Sequence, residues 1–152
     1  MEREPQIPEL EAFDRLVGHW TQEATHPEVP DTVVGGRISY EWLEGRRFVI
    51  QRWSMEHPEF PDSISVIGST DSDDGLTSHY FDSRGVFRVY RTKMEGDTML
   101  LWRHAPGFSQ RLDAELSEDG STLSGVSQLS RDGENWDDDL AITWTRVTKS
   151  TS

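Results

Sequence analysis

The chain has 152 residues, 15 Lys and Arg against 28 Asp and Glu, a formal charge of −13 and no cysteine. That length suits one domain, and the lack of cysteine excludes disulfides, thiolate metal sites and cysteine nucleophiles. The acidity argues against a nucleic-acid partner, because such affinity comes mostly from cations meeting phosphates, and reads instead as a device for solubility.

The first residues, Met1-Glu2-Arg3-Glu4-Pro5-Gln6, are charged with no apolar run behind them, which predicts a cytoplasmic protein without a signal peptide. Nowhere does the chain approach the roughly 18 apolar residues a membrane span requires, so no membrane partner is expected. Residues 1–7 and 148–152 read as flexible tails around a single β-barrel domain at 8–147. Pro8 to Leu16 reads as a short helix. Leu10, Phe13 and Leu16 recur about one turn apart, and Glu9 and Glu11 stand near the start, where the helix dipole favours acids.

From Gly18 onward, turn signals recur at Pro27–Gly36, Glu44-Gly45, Pro58–Asp62, Asp73-Asp74-Gly75 and Asp82–Gly85. They continue at Glu95-Gly96-Asp97, Pro106-Gly107, Glu118-Asp119-Gly120 and Asp132-Gly133. Glycine permits positive φ at such points, and Asp satisfies the local backbone. The segments between them read as strands. Ile38, Tyr40 and Trp42 alternate with Ser39 and Glu41; 47–55, 64–69, 76–81 and 86–94 are rich in β-branched and aromatic residues; 98–104, 110–116, 122–129 and 137–147 complete the set. Short strands at this spacing predict an all-β fold. Hairpins between every pair of neighbours make it a closed antiparallel up-and-down barrel of about ten strands with a short N-terminal helix. An even strand count lets the first and last strands pair and removes the edges. A wall of that width is not filled by its own side chains, so a cavity is expected.

In such a meander Trp20, early in the first strand, and Arg146, late in the last, arrive together at the bottom, where a guanidinium can lie over an indole face. Gly18-His19-Trp20 after a short helix, with Arg146 near the end of the last strand, resembles the signature of the calycin superfamily. That group includes the lipocalins, the fatty-acid-binding proteins and the heme-binding nitrobindins. The layout as a whole looks most like an uncharacterised bacterial lipocalin-like family, distant from the nitrobindins. Gly18, Trp20 and Arg146 are the structural signature; the resemblance implies a barrel with an internal ligand site and does not name the ligand. Nitrobindins carry their heme-ligating histidine toward the C-terminal end, whereas no histidine follows His104 here, and Thr21-Gln22-Glu23 lacks their further glycines.

The same parity places three histidine loops at the top. His26-Pro27-Glu28-Val29-Pro30-Asp31 and His57-Pro58-Glu59-Phe60-Pro61-Asp62 repeat one pattern, and His104-Ala105-Pro106-Gly107-Phe108 is the third. Prolines stiffen these loops, and Val29, Phe60 and Phe108 are expected to close the cavity as apolar tips. His26, His57 and His104 with Glu28 and Glu59 are ligand types that suit zinc or iron, but mouth loops can stand far apart across a wide barrel, so no metal site is expected. Asp71-Ser72-Asp73-Asp74-Gly75 lacks the alternating ligands and closing Glu of a calcium loop.

No nucleophile elbow, metalloprotease helix, phosphate loop or dinucleotide fingerprint occurs, so binding is favoured over catalysis and no cofactor is expected. Alternation puts His79 with Thr77 and Phe81, and Tyr80 with Leu76 and Ser78; which set faces inward stays open. His79 would support acid–base chemistry only if it faced the cavity. Arg88 and Arg111 are the favoured interior arginines, since fatty-acid-binding relatives hold a carboxylate with such residues. The expected cavity and mouth residues are therefore Tyr40, Trp42, Phe60, His79, Arg88, Tyr90, Trp102, His104, Phe108 and Arg111. They point to an apolar or aromatic small molecule, with or without an acidic group, held by a monomer or homodimer. The alternatives are a nitrobindin-like heme protein acting on reactive nitrogen species and a small cofactor-free isomerase.

Overall fold

The computed structural model describes residues 8–69 and 75–147. The expected tails at 1–7 and 148–152, and most of the calcium-like run at 71–75, lie outside the described residues. The N-terminal helix is shorter and tighter than a plain α-helix. Leu10, Phe13 and Leu16 recur every third residue, which is the 3₁₀ period. The chain accordingly makes one α turn, α1 (Pro8–Glu11), and tightens into a 3₁₀ turn over Ala12–Leu16. All three apolar side chains are buried.

Ten strands follow: β1 (Gly18–His26), β2 (Val29–Trp42), β3 (Val49–Met55), β4 (Ser63–Ser69), β5 (Leu76–Asp82), β6 (Phe87–Glu95), β7 (Thr98–Arg103), β8 (Ser109–Leu116), β9 (Thr122–Ser130) and β10 (Asp137–Arg146). Each pairs antiparallel with its neighbour in sequence, and β1 also pairs with β10, so the sheet closes on itself. This is the expected up-and-down barrel. The long turn expected over Pro27–Gly36 is corrected: β2 begins at Val29, and Gly35 and Gly36 lie inside it. A Cβ at Gly36 would come within 2.8 Å of the Ser54 carbonyl, and one at Gly35 within 2.9 Å of the Glu56 carboxylate. These glycines serve close approach within the sheet.

The helical segment covers one end of the barrel. Arg46, in the turn after β2, reaches Glu11; Arg15 bonds Gly96 and Asp97 between β6 and β7; and Arg146 bonds Gly120 between β8 and β9. The five loops after the odd-numbered strands therefore open at the opposite end, the mouth, and they include those with His26, His57 and His104. The lower core centres on Trp144. Its ring meets Tyr40 at 6.0 Å, Trp53 edge-on at 5.8 Å and Trp20 at 6.5 Å. Its indole N–H donates to the buried Gln22 side chain at 2.9 Å, which satisfies the one polar atom of Trp144. No helix among the described residues is long and apolar enough to cross a membrane.

Candidate ligand cavity

The upper halves of β4, β5 and β6 are built inside out. Ser63, Ser65 and Ser78 are buried, while Ile64 (44%), Phe81 (47%), Phe87 (55%) and Val89 (40%) are exposed on the outer wall. Register joins the two sets into rows: Ile64, Phe81 and Phe87 outside, Ser65, Tyr80 and Arg88 inside. Strand alternation normally sends apolar side chains to the core. Sending serines, tyrosines and an arginine inward leaves space and polarity where packing would otherwise be.

That space is a cavity of about 400 Å³ opening at the mouth, near the small end of the ~300–1,000 Å³ range of ligand pockets. Its floor and one side are apolar: Phe13, Trp53, Trp144, Ile142, Met99 and Leu112. The other side carries Ser63, Ser65, Ser78, Tyr80, Arg88 and Tyr90. Gln51, Ser127, Gln128 and Asp139 line it elsewhere, but each of these is bonded to a protein partner.

The polar side is held by a chain of directed bonds. Tyr80 donates its hydroxyl proton to Asp82 at 2.8 Å, and Asp82 receives the fork of Arg84 at 2.7 and 3.2 Å as well as two backbone N–H groups. The Arg84 fork, with those further donors, holds the Asp82 carboxyl well below the usual carboxylate range. Burial, and then the bond to Asp82, pushes the Tyr80 hydroxyl up to about 12. Tyr90 donates to the Gln110 side-chain oxygen at 2.8 Å, an oxygen that also accepts from Arg88 at 3.4 Å. Arg88 lies 5.5 Å from the Phe108 ring centroid. It is the inward arginine of β6, on the face of Tyr90 and Thr92, and none of the described carboxylates pairs with it.

Of the residues expected from sequence, Tyr40, Phe60, Arg88, Tyr90 and Arg111 border this cavity. Tyr40 is at its base, its hydroxyl accepting from Gln51 at 2.9 Å; Phe60 packs edge-on against His57 at the mouth. Arg111 borders only the rim. It is exposed, lies over Trp136 at 3.9 Å and donates to Gln128, because alternation gives the inward place to Leu112. Six other expectations are corrected. Trp42 ends β2 at the helix-covered end, donating to Asp14 at 2.7 Å beneath Arg46. His79 faces outward, in register with Val66 and Val89 and near the Phe87 ring, so it has no access to a cavity substrate. Trp102 also faces outward, in register between Arg91 and Arg111. His104 is exposed in its loop, and Phe108 supports Arg88 from outside the lining. Val29, expected as an apolar lid, is 52% exposed.

The repeated His-Pro-Glu pattern has a structural purpose instead. His26 Nδ1 accepts the Glu28 backbone N–H at 3.1 Å, and His57 Nδ1 accepts that of Glu59 at 3.1 Å. Each histidine caps its own loop. His26 also donates from Nε2 to Asp139 at 3.1 Å, tying the first hairpin to β10. A histidine-ligated heme does not fit this arrangement: His26 is the one histidine bordering the cavity, and both its ring nitrogens are engaged. Among the described residues no three His, Asp or Glu side chains come together as a metal-binding group.

Sequence reasoning missed Ser63, Ser65, Gln110 and Trp53, and left open the face of Ser78 and Tyr80, which is the inward one. The available signal was Ser63-Ile64-Ser65-Val66, where alternation is plain but its phase is opposite to the usual one.

No family model matches the chain, and no curated protein does. Solved structures share its fold. Rv2717c from M. tuberculosis superposes with a TM-score of 0.62 at 16% identity, covering 95% of this chain and 100% of that one. The S-type phycobiliprotein lyase CPES from Guillardia theta gives 0.58 at 13% identity, covering 92% and 93%. At such identities the likeness shows the fold alone, a closed ten-stranded antiparallel barrel, and leaves the site to be argued from its own side chains.

Proposed function

We propose that the barrel binds an apolar or aromatic small molecule bearing an acidic group. The acid meets Arg88, and the apolar body rests on Trp53, Trp144 and Ile142. The observation that carries this reading is Arg88 itself: an inward guanidinium with no carboxylate among the described residues to balance it. An arginine facing a partly enclosed space is unfavourable unless an anion completes its hydrogen bonding. The neighbouring Arg84 is already neutralised by Asp82, whereas Arg88 meets only the neutral Gln110 and Phe108 among the described residues. We further infer a cytoplasmic monomer or homodimer with no nucleic-acid or membrane partner, a reading supported by the net charge of −13.

Calorimetric titration with naphthoate and with the uncharged naphthamide tests the site. The protein should prefer the carboxylate by about tenfold or more, which corresponds to roughly 1.4 kcal/mol. Arg88→Met should erase the preference while leaving naphthamide binding in place. Equal affinity of the unaltered protein for both probes would overturn the assignment of Arg88.

A further inference from the structure

An acid at Arg88 accounts for one polar residue, yet the whole β4–β6 wall is polar. Ser65 stands opposite Tyr80 across the β4–β5 ladder, Tyr80 opposite Arg88, and Ser78 opposite Tyr90. These side chains form a continuous inner surface running from the mouth toward Thr92. The two tyrosine protons are already committed, to Asp82 and to Gln110. The Gln110 oxygen is taken twice, so what its amide has left to offer is the NH₂ group. The hydroxyls of Ser63, Ser65 and Ser78 have no side-chain bond within the described residues, although these residues are only 5–8% exposed. On adjoining β3, the Trp53 Nε1–H is buried with no acceptor among the described residues.

Hydroxyls that face a cavity without a protein partner are available to an occupant, and a serine there contributes less to packing than an apolar residue would. Across the cavity the polar side chains His26, Ser127, Gln128 and Asp139 are already bonded within the protein and stand beside Trp144, Ile142 and Leu112, so the groups left for an occupant are concentrated on β4–β6. A chain lipid, with a single polar end, would leave these serines facing methylenes. We propose that the occupant is a planar aromatic molecule with oxygen substituents along one edge: that edge lies against β4–β6, and the opposite edge lies against the apolar wall. This deepens the reading given above and rests on it, with Arg88 holding the acid and the serines reading the additional oxygens.

Fluorenonecarboxylate and fluorenecarboxylate of the same substitution pattern separate the two ideas, because they share shape and acid and differ by one ketone oxygen. Calorimetry should show the ketone bound at least about tenfold more tightly. Ser65→Ala combined with Ser78→Ala, changes that only remove hydroxyls, should bring the two affinities together without weakening the fluorene compound. The single variants provide the same comparison if the double one unfolds. Equal affinities in the unaltered protein would overturn the edge assignment while leaving the acid at Arg88 intact. A ketone preference that survives both alanines would overturn the role of this wall. If neither compound binds and naphthoate also fails, the cavity reading falls with it.

Discussion

The Arg146 guanidinium lies 4.2 Å from the Trp20 ring centroid while its nitrogens donate to the carbonyls of Arg15, Val17 and Gly120. One cation thus satisfies the end of the helical segment and the β8–β9 turn, and covers a tryptophan that is 1% exposed and bonded to Leu16. Trp20→Ala should cost about 3–5 kcal/mol through the cavity it leaves. Arg146→Met, which keeps much of the stem, should cost about 2 kcal/mol through the carbonyls left without donors. Urea midpoints measure both. A wild-type midpoint for Arg146→Met would mean that the pair does not hold this end shut. Gly18→Ala belongs to the same unit, since φ is 132° there and a Cβ would come within 2.9 Å of Arg146.

The Tyr80–Asp82–Arg84 group makes stability depend on pH at both extremes. Asp82 has a folded-state pKa below its unfolded value. Its contribution is therefore present above about pH 4 and is lost as pH falls from there through the folded value. Asp82→Asn should flatten the acid limb of a stability–pH curve. Tyr80 is shifted the other way, so its contribution is complete below about pH 10 and fades as pH rises to about 12. Phenolate absorbance should show Tyr80 ionising late in the unaltered protein and earlier in Asp82→Asn, where the carboxylate acceptor is gone. A Tyr80 ionisation that Asp82→Asn leaves unmoved would rule out the Tyr80–Asp82 bond.

The barrel was legible because its signals are local and repeated. Asp-Gly and Glu-Gly turns at even spacing mark out ten short segments whose simplest arrangement is an up-and-down meander, and in the closed barrel parity brings Trp20 beside Arg146 and three histidine loops to one mouth. The cavity was less legible because alternation gives two faces and does not say which is inside. Ile64 and Phe81 carry the apolar signal of core residues yet face outward, so the phase of β4–β6 is set by the closed sheet and not by its hydrophobic pattern. His79 went astray for that reason, being on the same face as Phe81. Trp42 failed differently: it does point toward the helix-covered end, but Asp14 and Arg46 claim it there.

Inner and outer aromatics should therefore respond unequally to truncation. Phe87→Ser removes an outer ring that is 55% exposed and should cost about 1 kcal/mol or less. Trp144→Ala removes the hub of four aromatic residues and should cost about 3–5 kcal/mol. Thermal denaturation of both variants is the measurement, and similar losses would contradict the inverted wall.

The two loop histidines act as acceptors, so their chemistry can be replaced. His57→Asn keeps an acceptor two residues before the Glu59 N–H and should retain most of the stability, since Asn forms such turns readily. His57→Ala should cost about 0.5–1.5 kcal/mol. Hydrogen exchange at the Glu59 amide reads the bond directly: fast in His57→Ala, slow in His57→Asn. Equal protection in both would show that the ring is a bystander.

Hemin should not bind here through a histidine. Axial ligation in such a pocket requires an imidazole nitrogen with a free lone pair facing the iron. His79 is on the outer wall beside Phe87, and His104 is exposed in its loop. His57 gives its Nδ1 to Glu59 and turns its ring against Phe60. His26 does border the cavity, but its Nδ1 accepts from Glu28 and its Nε2 donates to Asp139, so ligation would break a loop cap or the tie to β10. Titration with hemin should accordingly give a broad, weak absorbance that does not change in His26→Ala, His79→Ala or His104→Ala. A sharp Soret band of stoichiometric amplitude, lost in His26→Ala, would show that the mouth opens far enough to free that ring, and the apolar-acid reading would then have to yield to a heme site.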